Sequence, residues 1–315
     1  MNQVSSRKVS IIIVNWNTGN LLEECLYSIS RFNNSLVKKI VVVDNNSDDQ
    51  SFNCVKSYKN VELIHLEKNY GFAKACNIGA KNCNSDYFLF LNPDARLTKL
   101  TLPGLVQYMD SPESKNVGIS GVQLLDNNSQ VTYSCSRFPT LFRYFCYSIG
   151  LLKIFPAFGS PMRDWPHTSN GEVDQIMGAL FFVRSSLFIS LKGFDERFFV
   201  YMEEVDFSFR AKLQGNNSFF LASVSAYHVG GGSSEKVKAK RIFYSTRSRI
   251  LYMAKHYSVL KTIATIFISI SIEPLCRIIF GIIKLSTYSI IEAIHSYLML
   301  IRWLPNMLFR KNWQP

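Results

Sequence analysis

Short β-branched or aromatic runs recur along the N-terminal part of the chain, and each ends in polar residues. These runs occupy residues 9–16, 38–49, 61–69 and 86–95, with helical spacing at 18–30 and 71–83. Such alternation predicts an α/β fold in which a mostly parallel central sheet is flanked by helices. Ligands bind at the carboxyl ends of the strands in sheets of this kind. We therefore expect the polar residues that end these runs to share one crevice.

Three of these strand-end residues have side chains suited to binding a ligand. The carboxylate of Asp44 can accept a hydrogen bond from the imide N–H of uracil or thymine, and adenine has no such donor. Asn92 and Asp94 offer oxygen ligands two residues apart, which suits a divalent cation that also binds a diphosphate. Asn, Asp and Pro are also common turn residues, so an ordinary turn explains each pattern taken alone.

The segment FFVYMEEVDFSFR, residues 198–210, places three carboxylates among aromatic side chains. Helical spacing brings Asp206 onto the face of Arg210, with which it can pair, and next to Glu203. Glu204 points about a quarter-turn away from Glu203. A carboxylate that faces a cleft can act as a general base if its surroundings raise its pKa. The alternative is a helix start whose acids are favoured by the helix dipole.

Glycines mark two further motifs. NYGFAKACNIG, at 69–79, is a glycine turn that leads into a helix. It lacks the GxGxxG pattern, which argues against a dinucleotide-dependent oxidoreductase. AYHVGGGSS, at 226–234, places His228 before three glycines, which allow backbone to approach a ligand closely or a loop to close. A purely structural histidine is the alternative at this position.

Positive charge is concentrated near the C-terminus. Residues 1–234 contain 22 Lys and Arg against 20 Asp and Glu, whereas residues 235–315 contain 13 against 3. The second segment is also apolar and helical in spacing, which suits an anionic membrane surface better than a nucleic acid. Charged residues and a proline interrupt its longest apolar stretch, 259–285. We therefore expect helices that lie in the membrane interface and do not span it.

The cysteines and the N-terminus indicate a compartment. Seven cysteines are scattered without a CxxC pair, which favours a reducing environment over a disulfide framework. The apolar run VSIIIV, at 9–14, is too short for a signal peptide. Both features predict the cytosolic side of a membrane.

Taken in order, these motifs resemble the inverting glycosyltransferases of family 2, and within them the rhamnosyltransferase branch. The resemblance spans about residues 8–234. It implies a GT-A fold, a Rossmann-like catalytic domain at 1–234, and a basic, apolar membrane-association region at 235–315. The implied reaction moves L-rhamnose from dTDP-L-rhamnose to a polyprenyl-diphosphate-linked sugar, GlcNAc in our expectation, during synthesis of bacterial surface polysaccharide such as O-antigen or cell wall. The implied location is peripheral or monotopic, on the cytoplasmic face of the inner membrane.

The resemblance also assigns roles around the nucleotide. It implies that Asp44 and Asn15 line the pocket of the pyrimidine base, and that Gly71 and Asn77 lie where the nucleotide approaches. Asn92 would contact the nucleotide and act as a weak ligand of Mg or Mn. Since Asn92 stands where relatives carry a carboxylate, we expect modest metal affinity, with the donor diphosphate supplying much of the coordination.

The remaining roles concern the metal and the acceptor. The resemblance makes Asp94 the principal metal ligand, with His228 completing the metal site. Glu204 stands where the family normally carries its catalytic aspartate, and Glu203 is the alternative base. Arg184 is expected near the phosphates or the acceptor, where Glu203 and Asp206 are weaker candidates.

Two alternatives to the rhamnosyltransferase reading stay open. In the first alternative the donor is a UDP-hexose or UDP-galactofuranose. This alternative stays open because thymine and uracil present the same imide to Asp44. The second is a membrane-associated scaffold that kept the fold and lost catalysis, since Glu204 and Asn92 both depart from the family pattern.

Overall fold

The computed structural model describes residues 7–32, 35–230 and 238–309. Strands dominate its first two thirds, and helices follow. The strands are β1 (Val9–Asn15), β2 (Val37–Asp44), β3 (Val61–His65), β4 (Tyr87–Leu91), β5 (Ala95–Leu97), β6 (Val117–Leu125), β7 (Val131–Thr132), β8 (Cys135–Ser136), β9 (Gly171–Val173), β10 (Gln175–Ile176), β11 (Leu180–Arg184) and β12 (Asn217–His228). The helices are α1 (Leu21–Phe32), α2 (Phe72–Ala80), α3 (Thr101–Met109), α4 (Leu141–Ser148), α5 (Ser185–Ser190), α6 (Glu203–Leu213), α7 (Lys238–His256), α8 (Val259–Phe267), α9 (Glu273–Ile283) and α10 (Thr287–Phe309).

One large mixed sheet organises the first two thirds of the chain. Its main path runs β3-β2-β1-β4-β11-β6-β12-β5, and β7 and β9 pair at its margins. β1 is buried at every position and pairs in parallel with β2 and β4. Parallel strands covered on both faces read as continuous apolar runs, which is why VSIIIV was recognisable as a strand.

Strand direction brings many strand ends to one edge of the sheet, which we call the site edge. Asn15 lies opposite Asp44 across β1 and β2, and Leu91 lies opposite Ile13. β11 runs antiparallel to β4, so its first residue is the one at the site edge. The carboxyl end of β12 reaches the same edge, where His228 lies opposite Ala95 of β5. The predicted shared crevice therefore has a structural basis.

Apolar clusters cover both faces of the sheet. Helix α2 lies so close to β1 and β2 that a Cβ on Gly79 would come within 2.7 Å of an Ile12 methyl. Fully burying an aliphatic side chain such as Ile12 stabilises the fold by roughly 1.5–3 kcal/mol. Helix and sheet at this point therefore form a tightly packed support for the residues of the site edge.

The C-terminal helices pack on one another and on α6. α8 and α9 are joined through a π-helical turn, Ile268–Ile272, into one helix from Val259 to Ile283. This helix is long and apolar enough to cross a membrane by length and composition. The expectation that its charges would interrupt it is wrong, because Glu273 turns into the protein interior and is 1% exposed. The proposed domain boundary at 234, and Gly231 and Gly232, lie outside the described residues.

Candidate functional site

The carboxylate of Asp44 is enclosed at the end of β2. Oδ1 accepts hydrogen bonds from Asn15 Nδ2 at 2.8 Å and Ser47 Oγ at 2.6 Å. Oδ2 accepts one from the Ser47 N–H at 3.1 Å and lies 2.9 Å from His65 Nδ1. Asp44 and Asn15 are both fully buried. The structure brings the two predicted residues together, and their role towards a base stays a prediction.

Two rings beside this pair were not singled out from the sequence. The His65 side chain is 49% exposed, and its ring lies 5.1 Å from that of Phe52. His65 ends β3 just as Asp44 ends β2, so the strand-end pattern that flagged Asp44 applies equally to His65. His65 therefore offers a partly exposed ring within contact distance of the buried Asp44 carboxylate.

Gly71 and Asn77 shape the turn and helix that lie beside the site edge. Gly71 has a φ of +87°, and a Cβ there would lie 2.3 Å from the Phe199 carbonyl oxygen. The Asn77 side chain instead binds the Phe194 backbone, donating to its oxygen at 2.8 Å and accepting from its N–H at 2.9 Å. The contacts of Asn77 are therefore those of a residue that holds the 194–199 loop on α2. Its approach to the nucleotide stays a prediction.

Asp94 and His228 face one another at the site edge. Their side chains are mostly buried, and His228 Nε2 lies 3.3 Å from Asp94 Oδ1. Neighbouring ligands of an octahedral Mg²⁺ are separated by roughly 3 Å, since each lies about 2.0–2.1 Å from the ion. One carboxylate and one imidazole in this arrangement fit a divalent cation that takes its other ligands from phosphate and water. Among the described residues there is no cluster of three or more His, Cys, Asp and Glu side chains that could hold a metal without such help.

Glu204 stands in the first turn of α6; the residue as a whole is partly exposed, but its Oε2 is buried and has no hydrogen-bond partner among the described residues. Its carboxyl group lies against Gly178, and burial raises its pKa even though backbone N–H groups, that of Gly178 among them, oppose the shift. The next residue, Ala179, accepts a hydrogen bond from the Asn92 N–H at 2.9 Å. One short stretch of backbone thus connects Glu204 to the turn that carries Asp94.

An unusual backbone turn sets the start of α6. Tyr201 and Met202 both have positive φ angles, of 67° and 73°. The left-handed conformation costs a non-glycine residue roughly 1–2 kcal/mol, so the surrounding packing must hold this turn. Part of that packing comes from α7, where Ser248 Oγ donates to the Val200 carbonyl at 2.8 Å.

Comparison with known proteins identifies this arrangement. Residues 10–153 match the family described as Glycosyl transferase family 2. This segment resembles a family 2 glycosyltransferase domain. It is 24% identical over 269 residues to N-acetylglucosaminyl-diphospho-decaprenol L-rhamnosyltransferase of Mycobacterium tuberculosis, covering 79% of this chain and 84% of that protein. It is also 26% identical over 227 residues to rhamnosyltransferase WbbL of Escherichia coli, covering 69% and 82%. The glycosyltransferase is rhamnosyltransferase-like in sequence, as predicted.

Solved structures confirm the predicted GT-A-like fold. A mannosyltransferase from Pyrobaculum calidifontis, solved with GDP-Man and Mn²⁺, superposes with a TM-score of 0.55 at 13% identity, covering 98% of this chain and 83% of that one. TarS 1–349 of S. aureus superposes with a TM-score of 0.52 at 16% identity, covering 95% and 92%. The segment that matches the family model ends at residue 153. Glu204 and His228 lie beyond it, so their positions relative to Asp94 come from the structure alone.

Asp206 of the glycosyltransferase is fully buried and surrounded by cationic or ionisable groups. Its Oδ2 accepts from Arg210 Nε at 2.8 Å, the pairing expected from the sequence. Its Oδ1 lies 2.6 Å from Lys255 Nζ and 2.7 Å from His256 Nε2, both on α7. Burial alone would raise the pKa of Asp206, but His256, Arg210 and Lys255 together hold it below the ordinary value. Asp206 therefore joins α6 to α7, and it has no contact that suggests acceptor binding.

Arg184 lies at the opposite edge of the sheet from Asp94. β11 runs antiparallel to β4, which places Arg184 across from Tyr87 at the start of β4. Its guanidinium donates to the carbonyl oxygens of Met109 at 2.7 Å and Val117 at 2.8 Å. The expectation that Arg184 lies near the phosphates or the acceptor is corrected here, because its strand runs away from the site edge.

Replacing Glu203 by glutamine is expected to stabilise the glycosyltransferase by about 1–3 kcal/mol at pH 8 and to have little effect at pH 4. Glu203 is 4% exposed, and its buried Oε2 has no partner among the described residues. Burial, with the nearby charge of Glu204, raises the pKa of Glu203 well above 4.5. The neutral form of Glu203 contributes stability that is fully present below the pKa of Glu203 in the unfolded chain. This contribution is lost as the pH rises through the higher pKa of Glu203 in the folded protein.

Chemical denaturation at both pH values measures this effect. The control is Glu62→Gln, which removes a carboxylate from an exposed pair with Lys39 and should show no such gain. An equal effect of Glu203→Gln at pH 4 and pH 8 would contradict the proposed cause.

Proposed function

We propose that this chain is an inverting, metal-dependent glycosyltransferase that moves L-rhamnose from dTDP-L-rhamnose to a sugar linked to a lipid diphosphate, GlcNAc being the favoured acceptor. Support comes from the names of the mycobacterial and E. coli relatives, whose similarity covers more than two thirds of each chain. The observation that carries the reaction is the position of Glu204: its Oε2 is buried without a hydrogen-bond partner in the described part of the chain, its pKa is raised by burial, and residues 178–179 connect it to the turn that carries Asp94.

The raised pKa suits Glu204 to accept a proton from an acceptor hydroxyl. The acceptor oxygen then forms a bond to the anomeric carbon while the bond from that carbon to the diphosphate oxygen breaks. Because attack comes from the face opposite the leaving group, a single displacement inverts the configuration. The chain needs no covalent nucleophile for this step. Glu203, which is buried, is the alternative base.

Asp94 and His228 are the residues that would hold a Mg or Mn ion at the site edge. When bound, the ion would neutralise the negative charge that develops on the departing nucleoside diphosphate. A mannosyltransferase of similar fold solved with Mn²⁺ supports a divalent cation here. Asp44 and Asn15 are assigned to the pyrimidine, with His65 and Phe52 beside them. Asn92 and Gly71 remain assigned to the nucleotide.

We expect a donor screen to show transfer from dTDP-L-rhamnose, and not from UDP-hexoses or UDP-galactofuranose, to a synthetic lipid-diphosphate GlcNAc. EDTA should abolish transfer and added Mg²⁺ or Mn²⁺ should restore it. Asp94→Asn should lower transfer by about 10²-fold or more, because it weakens the charge stabilisation of the leaving group. Product analysis by mass spectrometry and anomeric NMR measures the transfer and its stereochemistry.

The outcomes separate the alternatives. Transfer from a UDP-sugar alone would keep the reaction class and overturn the donor. Undiminished transfer in EDTA would overturn the metal. The absence of both transfer and donor hydrolysis with every nucleotide sugar would favour a scaffold that has lost catalysis.

The proposed location is the cytoplasmic face of a bacterial inner membrane, where a lipid-linked acceptor is found. The seven scattered cysteines, without a CxxC pair, favour a reducing compartment.

A further inference from the structure

Two segments far apart in sequence expose large apolar side chains to solvent. One is residues 141–158, which we call the aromatic segment; its exposed members include Phe142, Ile154 and Phe155. The other is the continuous helix at 259–283, where Leu260, Phe267 and Ile283 are exposed. Only 22% of the most apolar window of this helix is buried inside the protein. The helix is therefore not the core helix of a soluble domain.

The contacts between these two segments are polar, with charged members. The Tyr144 hydroxyl lies 2.6 Å from Ser269 Oγ and donates to Glu273 Oε2 at 2.7 Å. Glu273 accepts from Arg277 at 2.8 Å, and Arg249 of α7 lies 3.7 Å away. Polar groups thus face inward while apolar groups face outward. A soluble protein has the reverse distribution, whereas ionisable side chains within membranes face the protein interior.

The aromatic segment and α9 form one continuous surface. Arg277 donates to the Tyr147 hydroxyl at 3.1 Å. Lys153 Nζ lies 4.5 Å from the centre of the Phe280 ring. Gly150 lies against the same ring, since a Cβ there would come within 2.9 Å of it. We call the exposed side chains of the aromatic segment and of the helix at 259–283 the apolar face.

Protein covers the side of the helix opposite the apolar face. α10 packs against α7 in a cluster that includes Ile250, Tyr297 and Leu300. α7 in turn contacts the catalytic helix α6 through Lys255 and His256. The helix at 259–283 also packs against this cluster, so protein covers one side of the helix while the apolar face stays exposed, as in a monotopic protein.

We propose that the apolar face docks on an anionic phospholipid bilayer, and that the aromatic segment enters the bilayer together with the helix at 259–283. Exposed cations border it, among them Lys153, Lys261 and Lys284, and residues 235–315 carry 13 basic against 3 acidic side chains. Basic residues beside an apolar face match the negative surface of such a bilayer. This inference deepens the proposed function, since it gives the part assigned to catalysis its own contact with the membrane of the lipid-linked acceptor.

Vesicle flotation of the full chain tests the proposal. Binding to anionic vesicles of equimolar phosphatidylethanolamine and phosphatidylglycerol is compared with binding to vesicles of phosphatidylcholine alone. The triple variant Phe142→Ser, Ile154→Ser, Phe155→Ser should partition into the anionic vesicles at least about tenfold less than wild type, because apolar area drives insertion. The matched control, Ile189→Ser with Leu213→Ser, removes equally exposed apolar side chains from α5 and α6 and should partition like wild type. Both variants replace surface residues, and unchanged thermal unfolding confirms that they fold.

Wild-type partitioning of the triple variant would overturn the role of the aromatic segment. A different result would also overturn the proposal: the wild type fails to bind vesicles and forms a dimer without lipid, and the triple variant stays monomeric. That result would show that a second copy of the chain covers the apolar face. Transfer to a short-chain, water-soluble acceptor should be the same in the triple variant and wild type. Vesicle binding is measured independently of transfer, so a failure of the proposed enzymatic function leaves this test intact.

Discussion

Glu204→Gln is expected to lower sugar transfer by about 10²–10⁴-fold while donor affinity stays unchanged. Glutamine keeps the shape of the side chain and an oxygen that can accept from the backbone N–H groups around it. It cannot accept the proton of the acceptor hydroxyl. Single-turnover transfer and donor binding by calorimetry separate the two effects. Retained turnover would contradict the assignment of Glu204 as the base.

Glu203→Gln is the matched control, because it changes the neighbouring residue in the same way. If Glu203 were the base, the losses would be exchanged between the two variants. Glu204→Asp should keep part of the activity, since it keeps the carboxylate and shortens its reach by one methylene. Wild-type activity should rise with pH through an apparent pKa above 4.5, because burial raises the pKa of Glu204 and only the ionised form accepts a proton.

Asp206→Asn is expected to destabilise the protein by about 3–5 kcal/mol at neutral pH, the usual cost of breaking a buried ion pair. The change leaves Arg210, Lys255 and His256 without the carboxylate that they surround. Because the pKa of Asp206 is lower in the folded protein than its ordinary value of 3.8, the ionised carboxylate stabilises the fold above pH 3.8. This stabilisation is lost as the pH falls through the pKa of Asp206 in the folded protein. Chemical denaturation at pH 7 measures the full effect, and the difference from wild type should shrink in acid.

Lys212→Gln provides a control on the same helix. Lys212 pairs with Asp174 at 2.9 Å in an exposed setting, where an ion pair is worth about 0–1 kcal/mol. If Asp206→Asn cost no more than Lys212→Gln, the buried cluster would not hold α6 against α7.

The strand-end residues were predictable because a local pattern fixes them. Polar residues that follow buried parallel strands must emerge at the same edge, so Asn15 and Asp44 could be placed together from the sequence. Asp94 and His228 needed the resemblance to a family, because β5 and β12 pair across more than a hundred residues and no local spacing reveals it. Glu204 needed it too, since its carboxyl group contacts Gly178, which lies before β11 and outside the helix of Glu204.

The errors arise where direction or environment is set by tertiary structure. Arg184 was misplaced because a five-residue apolar strand reads the same in either direction, and β11 is antiparallel. The helix at 259–283 was divided because Glu273 and Arg277 look like interruptions of a membrane segment. Tyr144 and Tyr147, which bond Glu273 and Arg277 respectively, lie in another part of the chain, and the structure buries the carboxylate of Glu273. The left-handed turn at Tyr201 and Met202 carries no glycine that would announce it.

The link from Asp206 to α7 limits how freely the C-terminal helices can be exchanged. A chimaera that took its C-terminal helices from another protein would lack Lys255 and His256, and the buried carboxylate of Asp206, two residues from Glu204, would be left with fewer partners. Exposed positions such as Leu260 have no such partners among the described residues, so other apolar residues are expected to be tolerated there. The proposed membrane attachment and the proposed catalysis would therefore be inherited together, with substitution tolerated on the outer side of the helices and restricted on the inner side.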